Sequence, residues 1–462
     1  MIVPAEATLQ ALRLARFVTE VRWDTLPDPV RRAVLDAFQD WLGNAAAGLS
    51  TPFGEAVRNV ARLNGGEGRA TIVGTRGKTD PLTAALVNGG ASHALEFDDS
   101  HKGTFYHPGS PAIAAALAAA QASDCRGTDL LDGIAAGYET GIRVAEALGP
   151  SHYKYWHTTG TAGTLAAAAA VARVLRLPES QTIAAFGLAG TQAAGLWEVL
   201  PEAPAAKNLH AGRAAQSGVL AAFLAREGVP GPSSIFEGGR GLFAAMVPDG
   251  ADAEACSEKL GRIWRILEIT FKAYPICGHA MTPVEAALLI RTQLDGAEIS
   301  RLVVYSNAIS MRVAGNPDPL DGFAAKFSIP YCVAAALSRG RVTQAEFEPA
   351  ILRDAGLRDL MGRVELVALP EYDRIAKTIR PARIEAELDD GRTVEAVSET
   401  RRGDPEQPLT AEEMQTKFLG LAALAWGEDR AQEAGASIGS LPQAPSINEW
   451  MTRSLGAAAP SA

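Results

Sequence analysis

The chain has 462 residues, 47% hydrophobic and 21% charged, with 43 Lys and Arg against 53 Asp and Glu, a formal charge of −10. At roughly 150 residues per domain, this length predicts two or three domains with ample apolar material for a core. The acidic balance argues against a nucleic-acid surface, which needs a clustered basic stripe, but leaves room for a small anion held by a few cations in one cleft.

Residues 1–19 lack a basic stretch followed by an apolar one. No run of about 18 apolar residues predicts a membrane span. The four cysteines, Cys125, Cys256, Cys277 and Cys332, are widely spaced and form no C-x-x-C pair, which suits free thiols in a reducing compartment. A cytoplasmic protein is expected.

In chain order, Asp28-Pro29 predicts a helix start with Asp as cap and Pro at the first position. Val30, Val34, Phe38, Trp41 and Leu42 then recur at helical spacing. Gly65-Gly66-Glu67-Gly68 reads as a turn before a short strand at Ala70 to Val73. Alanine-rich helices are expected at 82–94, 111–122, 129–148, 160–175, 181–195 and 211–227, with no βαβ rhythm. After about residue 265 the texture changes. Leu302 and Val304 read as strand, as do Val364, Leu366 and Ala368. Ile384, Ala386 and Leu388 lead through Asp389-Asp390-Gly391 to Val394 and Ala396, a hairpin signal. Helices are expected between them at 282–293 and 327–338. From about 403 the chain turns helical again, from Ala411 to Trp426, before a tail containing Pro and Ser. The expectation is a mainly α protein: a large all-helical domain over 1–268, a smaller α+β lid domain over 269–401, and helices over 402–462 that return to the first domain.

Four clusters gather ionisable residues inside apolar helical sequence. The first runs from His93 through Glu96, Asp98, Asp99, Ser100 and His101 to His107-Pro108. It can be read as metal ligands, a buried acid–base cluster or a solvated loop, and its spacing matches no H-x-x-x-H or facial-triad pattern. The second, His157-Thr158-Thr159-Gly160-Thr161, puts small hydroxyl residues and glycine at a helix start whose N–H groups suit a carboxylate; a plain capped helix is the simpler reading. In the third, Lys207, His210 and Arg213 lie three apart and can share a helix face, two cations and a histidine for a dicarboxylate or an ordinary surface. The fourth, Lys272 to His279, places Lys272 between apolar residues, where it is either buried or snorkels to water.

The order of these clusters resembles the MmgE/PrpD family over nearly the whole chain. The matching stretches are Asn88 to Ser100, His107-Pro108, His157 to Gly163, Lys207 to Gly218, Lys272 to His279, and Ala325-Lys326-Phe327-Ser328. Glu96 stands where the family usually has Asp, and Thr158 where it usually has Pro. The resemblance implies a homodimer whose active site lies in a cleft between the helical domain and the lid. Catalytic roles would fall on His107, His157, Lys207 and Lys272, with Asp99, Ser100, Thr159, His210, Arg213 and His279 as substrate-binding candidates. It further implies no metal and no cofactor, and a lyase acting on a small polycarboxylate by proton transfer beside a carboxylate. An epimerase of a dicarboxylate such as iminodisuccinate is one alternative, an inactive helical binding protein another, and an iron–sulfur lyase a third that four scattered cysteines serve poorly.

Overall fold

A computed structural model describes residues 9–63, 68–75, 77–375 and 379–455. The expected Gly65-Gly66-Glu67 turn and residues 456–462 lie outside the described residues; the stretch after Trp426, expected as a tail, forms the helices Glu428–Ile438 and Ile447–Leu455. The chain is mainly α and divides into two compact units. One comprises the residues up to Ile269 together with those from Thr410 onward; the other is Thr270–Leu409.

The first unit is helical. Its centre is built from Pro81–His93, Gly109–Ser123, Gly127–His152, Thr158–Val174 and Lys207–Arg226. Ala114 to Ala116 and Ala166 to Ala170 are fully buried. Small side chains on these helices permit close packing at little cost in side-chain entropy. Asp80 caps the helix that ends in His93: its Oδ1 accepts from the N–H of Leu82 and of Thr83 at 2.9 and 3.0 Å, and Pro81 supplies the first residue. Ala411–Trp426 opens with a capping box in which Thr410 and Glu413 each accept the other's N–H, and it packs on the helix Asp28–Gly48. That latter helix starts one residue earlier than expected. Pro27, not Asp28, is its cap, because the Pro27 carbonyl already accepts the Arg31 N–H at 3.0 Å; the Asp28 carboxylate pairs with Arg31 instead.

The helix expected to run to residue 195 stops at Gly190. The following residues turn back so that Leu196 bridges Trp156. The expected strand at Ala70 is two residues long, Ala70–Thr71, paired antiparallel with Lys78–Thr79. Among the described residues, no helix is long and apolar enough to cross a membrane.

The second unit holds a four-stranded sheet in the order Val364–Ala368, Ile299–Ser306, Ala382–Leu388, Thr393–Ser398. The first pair is parallel, with Leu302 opposite Val364, and the other two are antiparallel. Ala382, Ile384, Ala386 and Leu388 are the buried face of their strand, the period-2 alternation of a half-buried strand. The hairpin turn works because Gly391 takes φ +88°, a left-handed conformation that costs glycine least. Helices Met281–Arg291 and Ile329–Arg339 pack together, the former also on the hairpin strands.

Candidate active site

Three helix ends in the first unit converge on one buried group of side chains. His93 is the last residue of Pro81–His93, His157 caps Thr158–Val174, and Lys207 is the first residue of Lys207–Arg226. A helix start is the unfavourable end for a cation, so Lys207 needs a compensating partner. Glu96 supplies it: its carboxylate pairs with the Lys207 ammonium, both side chains 4% exposed or less. Lys207 Nζ also lies 3.1 Å from His93 Nε2. An ammonium has only donors, so Nε2 accepts and the proton sits on Nδ1. His93 Nδ1 then donates to Asp98 Oδ2 at 2.7 Å. Burial, helped by Lys207, holds His93 below its ordinary pKa against the pull of Asp98.

Asp98 Oδ2 is the hub. It also accepts from Ser110 Oγ at 3.0 Å and lies 3.3 Å from His107 Nδ1. Burial alone would push the Asp98 carboxyl up, but His93 and His107 together outweigh it and hold the group well below the usual carboxylate range. Asp98 therefore carries a fixed negative charge beside the His107 ring. The His107 N–H donates to Thr159 Oγ1 at 3.2 Å, so Thr159 ties the main chain of His107 to the start of the His157 helix.

The His157 ring stacks on His93 with centroids 5.6 Å apart and lies 4.5 Å from that of Trp197. Its Nδ1 is 3.1 Å from Nδ1 of His210. Burial, then the nearby His93 and Lys207, push His157 well below its ordinary pKa; burial, then Lys207, lowers His210 to about 4. Both rings are neutral near pH 7, and one of the two facing nitrogens carries the shared proton.

Asp99 points elsewhere. Its two oxygens accept from the Gly109 N–H at 3.1 Å and the Tyr138 hydroxyl at 2.8 Å. A side chain at Gly109 would put a Cβ 2.7 Å from both Asp99 Oδ1 and the Tyr138 oxygen, so glycine is required there. Burial, with Asp40 and Asp98 close by, raises the Asp99 carboxyl to about 8. Ser100 is buried beside it in the pair Ser100–His101. Lys207 and His210 share a helix face, whereas Arg213, about 120° round the helix from Lys207, is exposed and bonds Gln216.

In the second unit, Lys272 is fully buried rather than snorkelling. His279 Nδ1 lies 3.0 Å from Ser310 Oγ. Burial, followed by the charges of Arg380, Arg401 and Arg312, pushes His279 well below its ordinary pKa. Ser328 caps Ile329–Arg339 by accepting the Tyr331 N–H at 3.1 Å.

Glu96 and Trp197 join the buried group through contacts that sequence spacing does not assign. Glu96 has φ +57°, a left-handed conformation costing a non-glycine residue about 1–2 kcal/mol. That turn, invisible in the sequence, carries its carboxylate back to Lys207. Trp197 is brought in by the early end of the preceding helix; no sequence signal marks it.

Among the described residues, two groups bring three possible metal-ligand atoms within 4.8 Å: His93, Asp98 and His107, and His101, Glu146 and Glu268. Folding assembles both despite the unhelpful spacing. In the first, the Lys207 ammonium already places a positive charge 3.1 Å from His93 and opposes a dication. In the second, Arg265 lies 3.2 Å from Glu146 as an ion pair and donates to Glu268 at 2.7 Å, so its guanidinium is a counter-charge already in place. Neither donor set calls for a metal.

The sequence matches the profile of the MmgE/PrpD N-terminal domain over residues 12–254 and that of the C-terminal domain over 274–440. It is 29% identical to a cis-aconitate decarboxylase-like protein, oryM, of Aspergillus oryzae, over 95% of each chain. It is 28% identical to the cis-aconitate decarboxylase of Homo sapiens, over 86% of this chain and 84% of that one. A 2-methylcitrate dehydratase of Cupriavidus necator is 27% identical over 46% of this chain and 45% of its own.

Proposed function

Since this chain belongs to the MmgE/PrpD family, we propose that it is a lyase acting on a small di- or tricarboxylate by proton transfer at a carbon next to a carboxylate. The observation that carries the reading is the buried arrangement of Lys207–Glu96, His93–Asp98–His107 and His157–His210. The Lys207 ammonium, the Glu96 and Asp98 carboxylates and the imidazoles of His93, His107, His157 and His210 lie together, largely buried.

Both reactions named for the relatives leave an electron pair on carbon beside a carboxylate. In dehydration a base takes the proton, the pair forms the double bond, and the hydroxyl leaves with a proton from an acid. In decarboxylation the C–C bond breaks, CO2 departs, and the carbon then takes a proton. Lys207 is assigned to stabilising the charge that builds on the neighbouring carboxylate, an interaction strengthened by the dry surroundings. His107, backed by Asp98, and the neutral His157 are assigned to proton transfer. The family motif gives Lys272 a charge-stabilising role and His279 a binding role in the same reaction. No step draws on a metal or an organic cofactor. A homodimer in the cytoplasm is part of the same proposal.

The relatives that match along most of their length are named for cis-aconitate decarboxylation, so cis-aconitate is the first substrate to try and 2-methylcitrate the second. NMR of each mixture follows CO2 release and alkene formation. Turnover of neither compound, nor of other C4–C7 polycarboxylates, would overturn the reading.

A further inference from the structure

The acidic loop after His93 is held from behind by a residue far away in the chain. Lys417, on the helix Ala411–Trp426, donates to the Phe97 carbonyl at 2.7 Å, lies 2.6 Å from Asp40 Oδ1, and sits 4.0 Å above the Phe97 ring. Asn44 adds a second donor to the same carbonyl at 3.4 Å and bonds the Asp40 carbonyl at 2.9 Å. The Phe97 ring packs against Ala47, Leu95 and Leu421. The side chains of Lys417 and Asp40 are 6% and 1% exposed.

Phe97 lies between the two acids that face the candidate active site. On one side Glu96, in its left-handed conformation, meets Lys207; on the other Asp98 meets His93 and His107. Such a turn persists only where its surroundings over-determine it. The main-chain bond at the turn itself is weak: the Glu96 N–H reaches the His93 carbonyl at only 3.5 Å. The two bonds to the Phe97 carbonyl and the cation over its ring restrain the residue that directly follows the turn.

We propose that Lys417, anchored by Asp40, is a positioning residue. It clamps Phe97 so that Glu96 and Asp98 keep Lys207, His93 and His107 in their working arrangement. Asp40 fixes the ammonium in a place where an unpaired charge would be costly, and Asn44 completes the carbonyl's coordination. The partners of Lys417 described above, Phe97 and Asp40, are not residues assigned to chemistry.

The test is the double variant Lys417→Met/Asp40→Asn, which removes the clamp without leaving a lone buried charge. It is compared with wild type, Lys417→Arg and Asn44→Ala. Two measurements need no substrate: hydrogen exchange of peptides spanning residues 94–108, and imidazole 15N shifts of His93, assigned by their loss in His93→Gln. The clamp predicts faster loop exchange and loss of the single His93 tautomer in the double variant, a smaller change in the same direction in Asn44→Ala, and recovery toward wild type in Lys417→Arg. The kinetic arm rests on the lyase reading. It predicts a kcat lower by about 10–100-fold with KM changed less than about threefold, as expected when an interaction made in the transition state is lost. A lower melting temperature with unchanged loop exchange and an unchanged His93 tautomer overturns the proposal. If the double variant does not fold, wild-type behaviour of Asn44→Ala in both substrate-free measurements overturns it. If wild type turns over no carboxylate, the lyase reading fails and the clamp is decided by the substrate-free measurements alone.

Discussion

The ammonium of Lys207 lies 3.1 Å from Nε2 of His93. That contact fixes His93 as an acceptor on one side and a donor to Asp98 on the other, so the charge of Lys207 and the charge of Asp98 communicate through a single neutral ring.

Removing Lys207 should separate activity from stability. Lys207→Met leaves the Glu96 carboxylate buried without its partner and should cost about 3–5 kcal/mol of stability. Lys207→Met/Glu96→Gln removes both charges and should recover most of that loss by thermal or urea unfolding. Neither variant should regain activity: kcat should stay down by about two to three orders of magnitude. Near-normal turnover in the double variant would remove Lys207 from the mechanism.

The two histidines should fail differently. His107→Gln and His157→Gln keep polarity without proton transfer, and each should lower the rate by about 10²–10⁴. If the two rings serve different proton transfers, one variant should still exchange the substrate proton beside the carboxylate with solvent D2O while the other does not. Near-normal turnover in both would reduce these histidines to helix-end residues.

Asp99 should make the fold less stable as pH rises. Its carboxyl goes from 3.8 in the unfolded chain to about 8 in the native state, so the native state holds the extra proton between those values. The contribution is fully present below about pH 4 and is lost as pH rises through about 8, with a slope of at most about 1.4 kcal/mol per pH unit. In Asp99→Asn the amide oxygen can still accept from Gly109, and its NH2 can donate to the Tyr138 oxygen. The difference in unfolding free energy between wild type and Asp99→Asn should therefore shift in favour of the variant from pH 5 to pH 8. A pH-independent difference would contradict an Asp99 that folds as the neutral acid.

Much of the scaffold is legible in the sequence because it depends on short-range pattern. The hairpin at Asp389-Asp390-Gly391 follows from alternation and one glycine, and the shared face of Lys207 and His210 from helical spacing. The active-site pairing is less legible. Glu96 reaches Lys207 only through a left-handed turn that glutamate seldom adopts, and Trp197 arrives because a helix ends five residues before the expected place. Lys417 and Phe97 are 320 residues apart, so no local pattern connects them. Arg213 shows the opposite limit: three-residue spacing from His210 suggested a common face, but two such steps rotate it into solvent.

Chelation should leave turnover intact, since the proposed electrophile is an ammonium and Arg265 already pairs with both carboxylates of the His101, Glu146 and Glu268 group. Dialysis against EDTA followed by assay checks this. Activity that is lost and then restored by a divalent ion would replace the lysine with a metal.

The most direct test of the central claim is NMR of the EDTA-treated protein in D2O with a panel of C4–C7 di- and tricarboxylates that includes cis-aconitate and 2-methylcitrate. For at least one compound, the account predicts deuterium at a carbon next to a carboxylate, either in recovered substrate or in product. That labelling should fall to background in Lys207→Met/Glu96→Gln. A folded protein that labels and converts none of these compounds, or does so equally well in that double variant, would contradict it.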